Sequence, residues 1–390
     1  MGSMIQPLHI LSLPRPSTLY ASLSARLRRS DVGAESVPDI LACFGVSLTK
    51  PVRNLAAGRR NTNVVVETTT GKKMLKGYRP QWSAETVTYT HSILDALATA
   101  DFPAPRLNRT VEGESFVHYE GIHYALFDFE KGTNYSGRFL LRGHRRRLMQ
   151  IAGLTLAQLH RQLQGFMPAG RHHMGFASYS SPRWRDMDWH IAKIEELKLK
   201  SAFVSDEEER LAARWLVEFS SFILGELIRL DELLRDVPLP RLIIHGDYGL
   251  HNLLFAPDGR VVPVDFELAR LEWRLSDLVS CLSRFRFGKV KGIAYDFQSI
   301  RWFMEGYCAE FPLDEVEWQH FPQVWAFYRL QSAVQYWNSY FETGGPMRKL
   351  LSARDAIDQF AWALSNSATI LSLQTVMGAG VGGNSRQVRR

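Results

Sequence analysis

The most constraining stretch of the sequence is Ile244-His-Gly-Asp-Tyr-Gly-Leu-His-Asn-Leu-Leu-Phe255, followed by Val264-Asp-Phe-Glu267. Asp247 lies in a glycine-flanked loop just after a short apolar strand, where a carboxylate is exposed yet firmly held. Asn252 immediately precedes a strand over 253–255. Pro257-Asp-Gly-Arg260 supplies turn chemistry that folds this strand back onto 261–264, which ends at Asp265. A hairpin of this length brings Asn252 and Asp265 together at one end. An amide oxygen and a carboxylate on adjacent strand ends, with Asp247 nearby, suit a magnesium–phosphate site. Mg²⁺ takes hard oxygen donors, few of them from protein, with phosphate and water completing its shell. Asp247, on a separate loop, is placed to accept a proton from an attacking hydroxyl. One Asp could merely cap the hairpin backbone. Three oxygen donors and His245 within 21 residues argue for a site.

The rest of the chain divides by periodicity. Residues 17–44 predict helix in two pieces. The β-branched run from Asn63 to Thr70, the Gly71-Lys72 turn and the stretch 73–77 predict a hairpin. Ser83 opens a helix by its N-cap chemistry, and Pro103 and Pro105 stop it. Two further strands follow at 116–119 and 124–129. After Gly132 the pattern is mainly helical, with helices over 146–164, over 205–236 behind a Ser205-Asp-Glu-Glu208 capping box, and through 292–371. Short strands interrupt it at 242–244, 253–255 and 261–264. Gly- and Arg-rich residues from Gly378 on read as a frayed end.

Composition narrows the classes of protein. At 390 residues, with 45% hydrophobic and 22% charged residues, the chain suits two globular lobes and excludes disorder. Three cysteines without paired spacing give neither a disulfide framework nor a cysteine zinc site, so an intracellular, cytoplasmic setting is expected. No segment reads as a membrane span or a secretory signal. The net charge of +7 suggests an anionic partner. The basic clusters at 26–29, 142–147, 284–291 and 386–390 carry no nucleic-acid motif and read as solvated surface. The aromatic residues of 302–341 have helical-core spacing, with Tyr336 and Trp337 also candidates for a substrate wall. Glu272, Glu305, Glu310 and Glu342 could meet a cationic substrate or lie on solvated faces.

Together, His245-Gly-Asp247, Asn252 after four intervening residues, and Asp265-Phe-Glu267 resemble the loops of the aminoglycoside phosphotransferase family. That family includes choline kinase-like and homoserine kinase-like members and is similar to protein kinases in fold. The resemblance covers roughly residues 35–345. Met74-Leu-Lys76 resembles the segment carrying the ATP lysine, Tyr124 to Gly132 the hinge, and Leu156 to His160 the first helix of the C-lobe. Asp277 stands where a residue supports the catalytic loop.

The resemblance implies an α+β, bilobal, kinase-like fold. Its parts would be a helical extension over 1–49, an antiparallel-sheet N-lobe over 50–130, a helical C-lobe over 131–371 and a flexible basic tail over 372–390. It implies ATP and Mg²⁺ as cofactors and a small-molecule hydroxyl acceptor such as an antibiotic, amino sugar or amino alcohol, with no nucleic-acid or membrane partner. Asp247 would be the catalytic base. Asn252 and Asp265 would hold the metal with Glu267 assisting, and Lys76 would contact the α and β phosphates. The backbone from Phe127 to Phe129 would bond adenine, and His245 would orient its loop.

Two departures stand out. The segment 57–63 holds only Gly58, so it reads equally as a reduced phosphate loop or an ordinary hairpin turn. The helix glutamate expected beside Lys76 is unassigned: Thr90 precedes His91, and Glu85 lies about one and a half turns earlier. Two other functions share the motifs. One is a stress-response-type Ser/Thr kinase, which also has the Tyr78-Arg-Pro80 run. The other is a nucleotide-binding protein that kept the fold without catalysis.

Overall fold

The computed structural model describes residues 35–52, 55–57, 62–137, 141–172, 186–286, 293–342 and 346–381. Gly58, Arg59 and Arg60, the first of the two early helical pieces and the extreme C-terminus lie outside them.

The N-lobe is a five-stranded antiparallel sheet in the order β1-β2-β3-β5-β4, with strands Leu55–Ala57, Thr62–Thr68, Gly71–Gly77, Val117–Tyr119 and Ile122–Asp128. Strand alternation gives the sheet two working faces. Val64, Val66, Leu75, Tyr124 and Leu126 pack beneath α1 (Val37–Ala42), whose Val37, Ile40 and Leu41 close this small core. Residues 37–46 therefore belong to the N-lobe core, and the lobe does not begin at 50 as its strand pattern suggests. Met74 and Lys76 face the other way, into a cleft between the lobes.

Helix α2 (Ala84–Thr99) starts where its N-cap indicates, with Ser83 Oγ accepting the Thr86 N–H at 3.3 Å. Its His91 is 1% exposed and sits between the Tyr78 hydroxyl (Nε2, 2.8 Å) and Ser115 Oγ (Nδ1, 2.8 Å). Burial, reinforced by the Lys76 and Arg109 charges, pushes its pKa down to about 3.

The C-lobe begins with α3 (Arg142–Gln162), which crosses α8 (Phe297–Glu310) at very short range. Glycine makes the crossing possible: a Cβ on Gly153 would stand 2.0 Å from the Phe303 carbonyl oxygen, and one on Gly306 would stand 1.9 Å from that of Gln150. Around this pair lie α4 (Met187–Ser201), α5 (Glu207–Glu218), α6 (Ser220–Leu234), α9 (Glu315–Glu342), α10 (Arg348–Ser365) and α11 (Ser367–Val381). Trp325 and Trp337 are fully buried, and Trp337 Nε1 donates to Ser201 Oγ at 3.1 Å, so this aromatic stretch is core.

Three helical expectations change. The N-cap over 205–208 is Asp206, whose carboxylate accepts the Glu209 N–H at 3.0 Å; it outcompetes Ser205 as the charged partner of a helix N-terminus. The long helix breaks at Phe219, where the Ser220 hydroxyl bonds the Val217 carbonyl at 2.7 Å and competes with the helical ladder. Helix α11 continues to Val381 and packs on α8 and α9, so the tail starts later than residue 372. Among the described residues no helix is long and apolar enough to cross a membrane.

Two short ribbons carry the loops. Strand β6 (Arg241–Ile244) pairs with β9 (Arg270–Trp273), a strand that sequence periodicity did not reveal. Strand β7 (Leu253–Phe255) pairs with β8 (Val261–Pro263) as the hairpin turn requires. Helix α7 (Arg274–Leu282) follows β9 and is anchored by Arg274, which bonds the buried Glu317 of α9 through Nε at 2.6 Å.

His91 gives a testable pH response. Its folded pKa is depressed, so the unfolded chain binds the proton more readily. Stability conferred by the neutral ring is complete above about 6.5 and is lost as pH falls toward about 3. Urea unfolding midpoints measured down this range should decline more steeply for the wild-type chain than for His91→Gln.

Candidate active site

Asp277 organises the loop that bears Asp247. It is completely buried, and its carboxylate accepts the His245 N–H at 2.6 Å, the Gly246 N–H at 2.8 Å and His160 Nε2 at 3.1 Å. Burial opposes its charge, but these donors and the neighbouring His160 outweigh that cost and hold the carboxyl below its ordinary range. Burial keeps His160 neutral, so Nε2 is the donor and Nδ1 accepts from the Tyr307 hydroxyl at 2.8 Å. His245 Nε2 reaches the Val264 carbonyl at 3.0 Å, and its Nδ1 receives the Asp247 N–H at 3.3 Å. That fixes one tautomer and ties the Asp247 loop to the end of β8. Gly246 has φ +79°, and a Cβ there would lie 2.1 Å from the Leu268 carbonyl oxygen, so the reversal before Asp247 requires glycine.

The hairpin does bring Asn252 and Asp265 to one end. Asn252 Nδ2 is committed to Asp247, bonding its carbonyl at 3.0 Å and its Oδ2 at 3.3 Å, which leaves the amide Oδ1 as an acceptor. Asp265 adopts a left-handed backbone (φ +67°), a conformation uncommon for a non-glycine residue. Burial and the nearby Glu267 and Asp247 carboxylates raise its pKa. Lys76 Nζ bonds Glu267 Oε1 at 2.5 Å and lies 3.8 Å from Asp265 Oδ1. Glu267 is thus the ion-pair partner of Lys76. Glu85 sits exposed in the first turn of α2, away from that role. One amide oxygen and one carboxylate are hard donors that suit Mg²⁺ shared with phosphate. Among the described residues no group of three His, Cys, Asp or Glu forms a protein-only metal site.

Lys76, Asp247, Asn252, Asp265 and Glu267 all line one cleft of about 460 Å³, whose lining also includes Met74, Phe129 and Glu130. Phe129 therefore lies where a base could stack. Phe127 does not: it is 3% exposed in β5, in register with Met74, so its backbone is taken up by the sheet. The Phe129 and Asp128 N–H groups are also engaged, by the Lys72 and Arg106 carbonyls at 3.3 and 3.0 Å.

Two residues escaped the sequence reading. Asn134 Nδ2 donates to the Leu250 and His251 carbonyls, both at 2.9 Å, and so pins the Asp247 loop to the segment joining the lobes. Its only signal was a polar residue just after Gly132. Arg284 bonds Asp247 Oδ1 directly; in the sequence it was one member of a basic cluster. Asp247 itself is held below the ordinary carboxylate range, because the nearby His251 ring and the Arg284 charge outweigh its burial.

A family model for the phosphotransferase enzyme family matches residues 51–303. The chain belongs to this family. It is an ATP-binding kinase that uses a hydroxyl acceptor. Its curated relatives include the homoserine kinase of a Caulobacter species, 25% identical over 291 residues, which spans 74% of this chain and 81% of the relative. That of Nitrobacter winogradskyi is 24% identical over 290 residues, covering 74% and 79%. Among solved structures, a spectinomycin phosphotransferase complexed with ADP and spectinomycin superposes with a TM-score of 0.58 at 14% identity, covering 87% of this chain and 99% of that one. A microcompartment-associated aminopropanol kinase superposes at 0.56 and 19% identity, covering 87% and 98%. At such identities the superpositions establish the kinase-like fold of this phosphotransferase.

The Asp277 clamp has a direct test. Asp277→Ala strands three buried donors and should cost about 3–5 kcal/mol in a chemical denaturation series. Asp277→Asn keeps one acceptor oxygen and should cost less.

Proposed function

We propose that this phosphotransferase moves the γ-phosphoryl group of ATP to a hydroxyl of a small molecule, with Mg²⁺ and with Asp247 as catalytic base. The observation that carries this reading is the convergence of Lys76, Asp247, Asn252 and Asp265 on one cleft between the lobes. Phosphoryl transfer asks the protein for alignment and charge neutralisation more than for covalent chemistry. Lys76 would meet the α and β phosphates. Asn252 Oδ1 and Asp265 would hold Mg²⁺, which when bound neutralises phosphate charge. Met74 and Phe129 would flank the adenine, and because the β5 backbone is used within the sheet, its edge would meet the chain at Glu130. Asp247 orients the acceptor hydroxyl and takes its proton. Glu267 supplies the lysine partner whose absence would have permitted a non-catalytic reading.

An ATP-consumption screen against hydroxylated metabolites and antibiotics, with and without Mg²⁺, tests the proposal. Asp247→Ala should lower turnover by roughly 10²–10⁴-fold without altering the circular dichroism spectrum. Unimpaired transfer by that variant would remove the assigned base. Lys76→Met should raise the KM for ATP and lower kcat, and Glu267→Gln should follow it in weaker form.

A further inference from the structure

The cation touching the catalytic carboxylate is not the one that serves the nucleotide. Arg284, just past the end of α7, bonds Asp247 Oδ1, and its Nε donates to the Ser280 carbonyl at 3.3 Å. Its side chain is 44% exposed, so a solute can reach it. It is not part of the lining of the nucleotide cleft, where Lys76 stands. The two oxygens of Asp247 therefore face different partners: Oδ2 meets Asn252 and His251, at 3.3 and 3.4 Å, and Oδ1 meets Arg284. Tyr328 and Tyr336 of α9 lie near Arg284 on this side of Asp247.

Three of the four carboxylates that could have met a cationic acceptor are used elsewhere. Glu305 is shared by Gln150 at 3.0 Å and Arg301 at 3.3 Å, and Glu310 pairs with Arg161 at 3.1 Å. Glu272 is buried and accepts the Trp273 N–H at 2.9 Å. Among the described residues, the side chain bonded to the free face of the base carries a positive charge.

We propose that Arg284 recognises the acceptor, and that the acceptor carries a carboxylate close to the hydroxyl that becomes phosphorylated. The inference rests on the phosphotransferase reading and names its acceptor class. In the resting protein Asp247 occupies the guanidinium. An acceptor carboxylate takes its place, which frees Oδ1 to receive the hydroxyl proton. The acceptor oxygen then bonds to the γ-phosphorus, the bond from that phosphorus to the β,γ-bridging oxygen breaks with its electron pair leaving on ADP, and the proton ends on Asp247. An acceptor without the acid leaves Asp247 Oδ1 bonded to Arg284 and not free for the hydroxyl. A carboxylate matches a single guanidinium. A dianionic phosphate would call for a second cation, and among the described residues the neighbouring Arg286 is held by Asp355 at 2.6 Å.

The test compares hydroxy acids with their counterparts lacking the acid: L-homoserine with 3-aminopropan-1-ol, L-serine with ethanolamine, and glycerate with ethylene glycol. Steady-state kinetics on the full chain with ATP and Mg²⁺ should give a higher kcat/KM for the acid in at least one pair. Arg284→Met should shrink that acid-to-alcohol ratio by roughly tenfold to a hundredfold, mainly through KM for the acid, and Arg284→Lys should restore part of it. Equal losses for acid and alcohol would leave Arg284 a structural neighbour of Asp247 and overturn the inference. So would transfer to neutral or cationic alcohols with no preference for acids, although the phosphotransferase reading would then stand. Absence of ATP-dependent transfer to every acceptor would defeat both.

Discussion

The site depends on one buried charge. Asp277 would be costly in the interior unless its oxygens were fully used, and they are, by two consecutive backbone N–H groups and the His160 ring. Those contacts join α7, α3 and the end of β6 at a single carboxylate. They convert the chain reversal at His245-Gly246, which only a glycine can make, into a fixed platform from which Asp247 projects. His245 then transmits that position to the end of β8 through Val264, so base and hairpin are located relative to one another without any ligand.

A second constraint is charge balance. Lys76 faces Glu267 and Asp265 while Asp247 stands nearby, so carboxylates outnumber ammonium groups on the cleft wall. The crowding shows in the raised pKa of Asp265 beside the lowered one of Glu267, where the Lys76 charge outweighs burial. A wall of this kind favours a bound cation. The pairing also changes how the lobes communicate. A lysine held from α2 would sense the position of that helix, whereas here β3 is tied directly to the loop after β8. On α2, the buried His91 is bonded to Tyr78 instead.

What could be read from the sequence follows the range of the interactions. The hairpin from Asn252 to Asp265 was legible because its register is set by the turn between its strands. The Ser83 cap and the β2–β3 turn were legible for the same reason. The partner of Lys76 was not, because Glu267 reaches it from 191 positions away, while a residue on the adjacent helix offered a nearer but wrong candidate. Strand β9 was hidden because Arg270-Leu-Glu-Trp273 shows little alternation: its Arg and Glu are buried along with Trp273. Arg284 looked like one of several surface arginines. Nothing in a one-dimensional charge run distinguishes an arginine facing water from one folded back onto a carboxylate 37 residues earlier.

Asp247 also explains how one scaffold can keep its nucleotide chemistry while changing acceptors. Through Oδ2 and its backbone carbonyl it is bound to Asn252, whose position is set by the hairpin. Through Oδ1 it meets Arg284, whose position is set by the end of α7 and the nearby tyrosines of α9. The first set is tied to the proposed metal donors. The second is not, because α7 is anchored upstream by Asp277 and Arg274 rather than through Arg284. A substitution at Arg284 would alter the electrostatic environment of the base from one side only. In the proposed reading, acceptor choice and phosphate binding therefore act on the same carboxylate from two different sides.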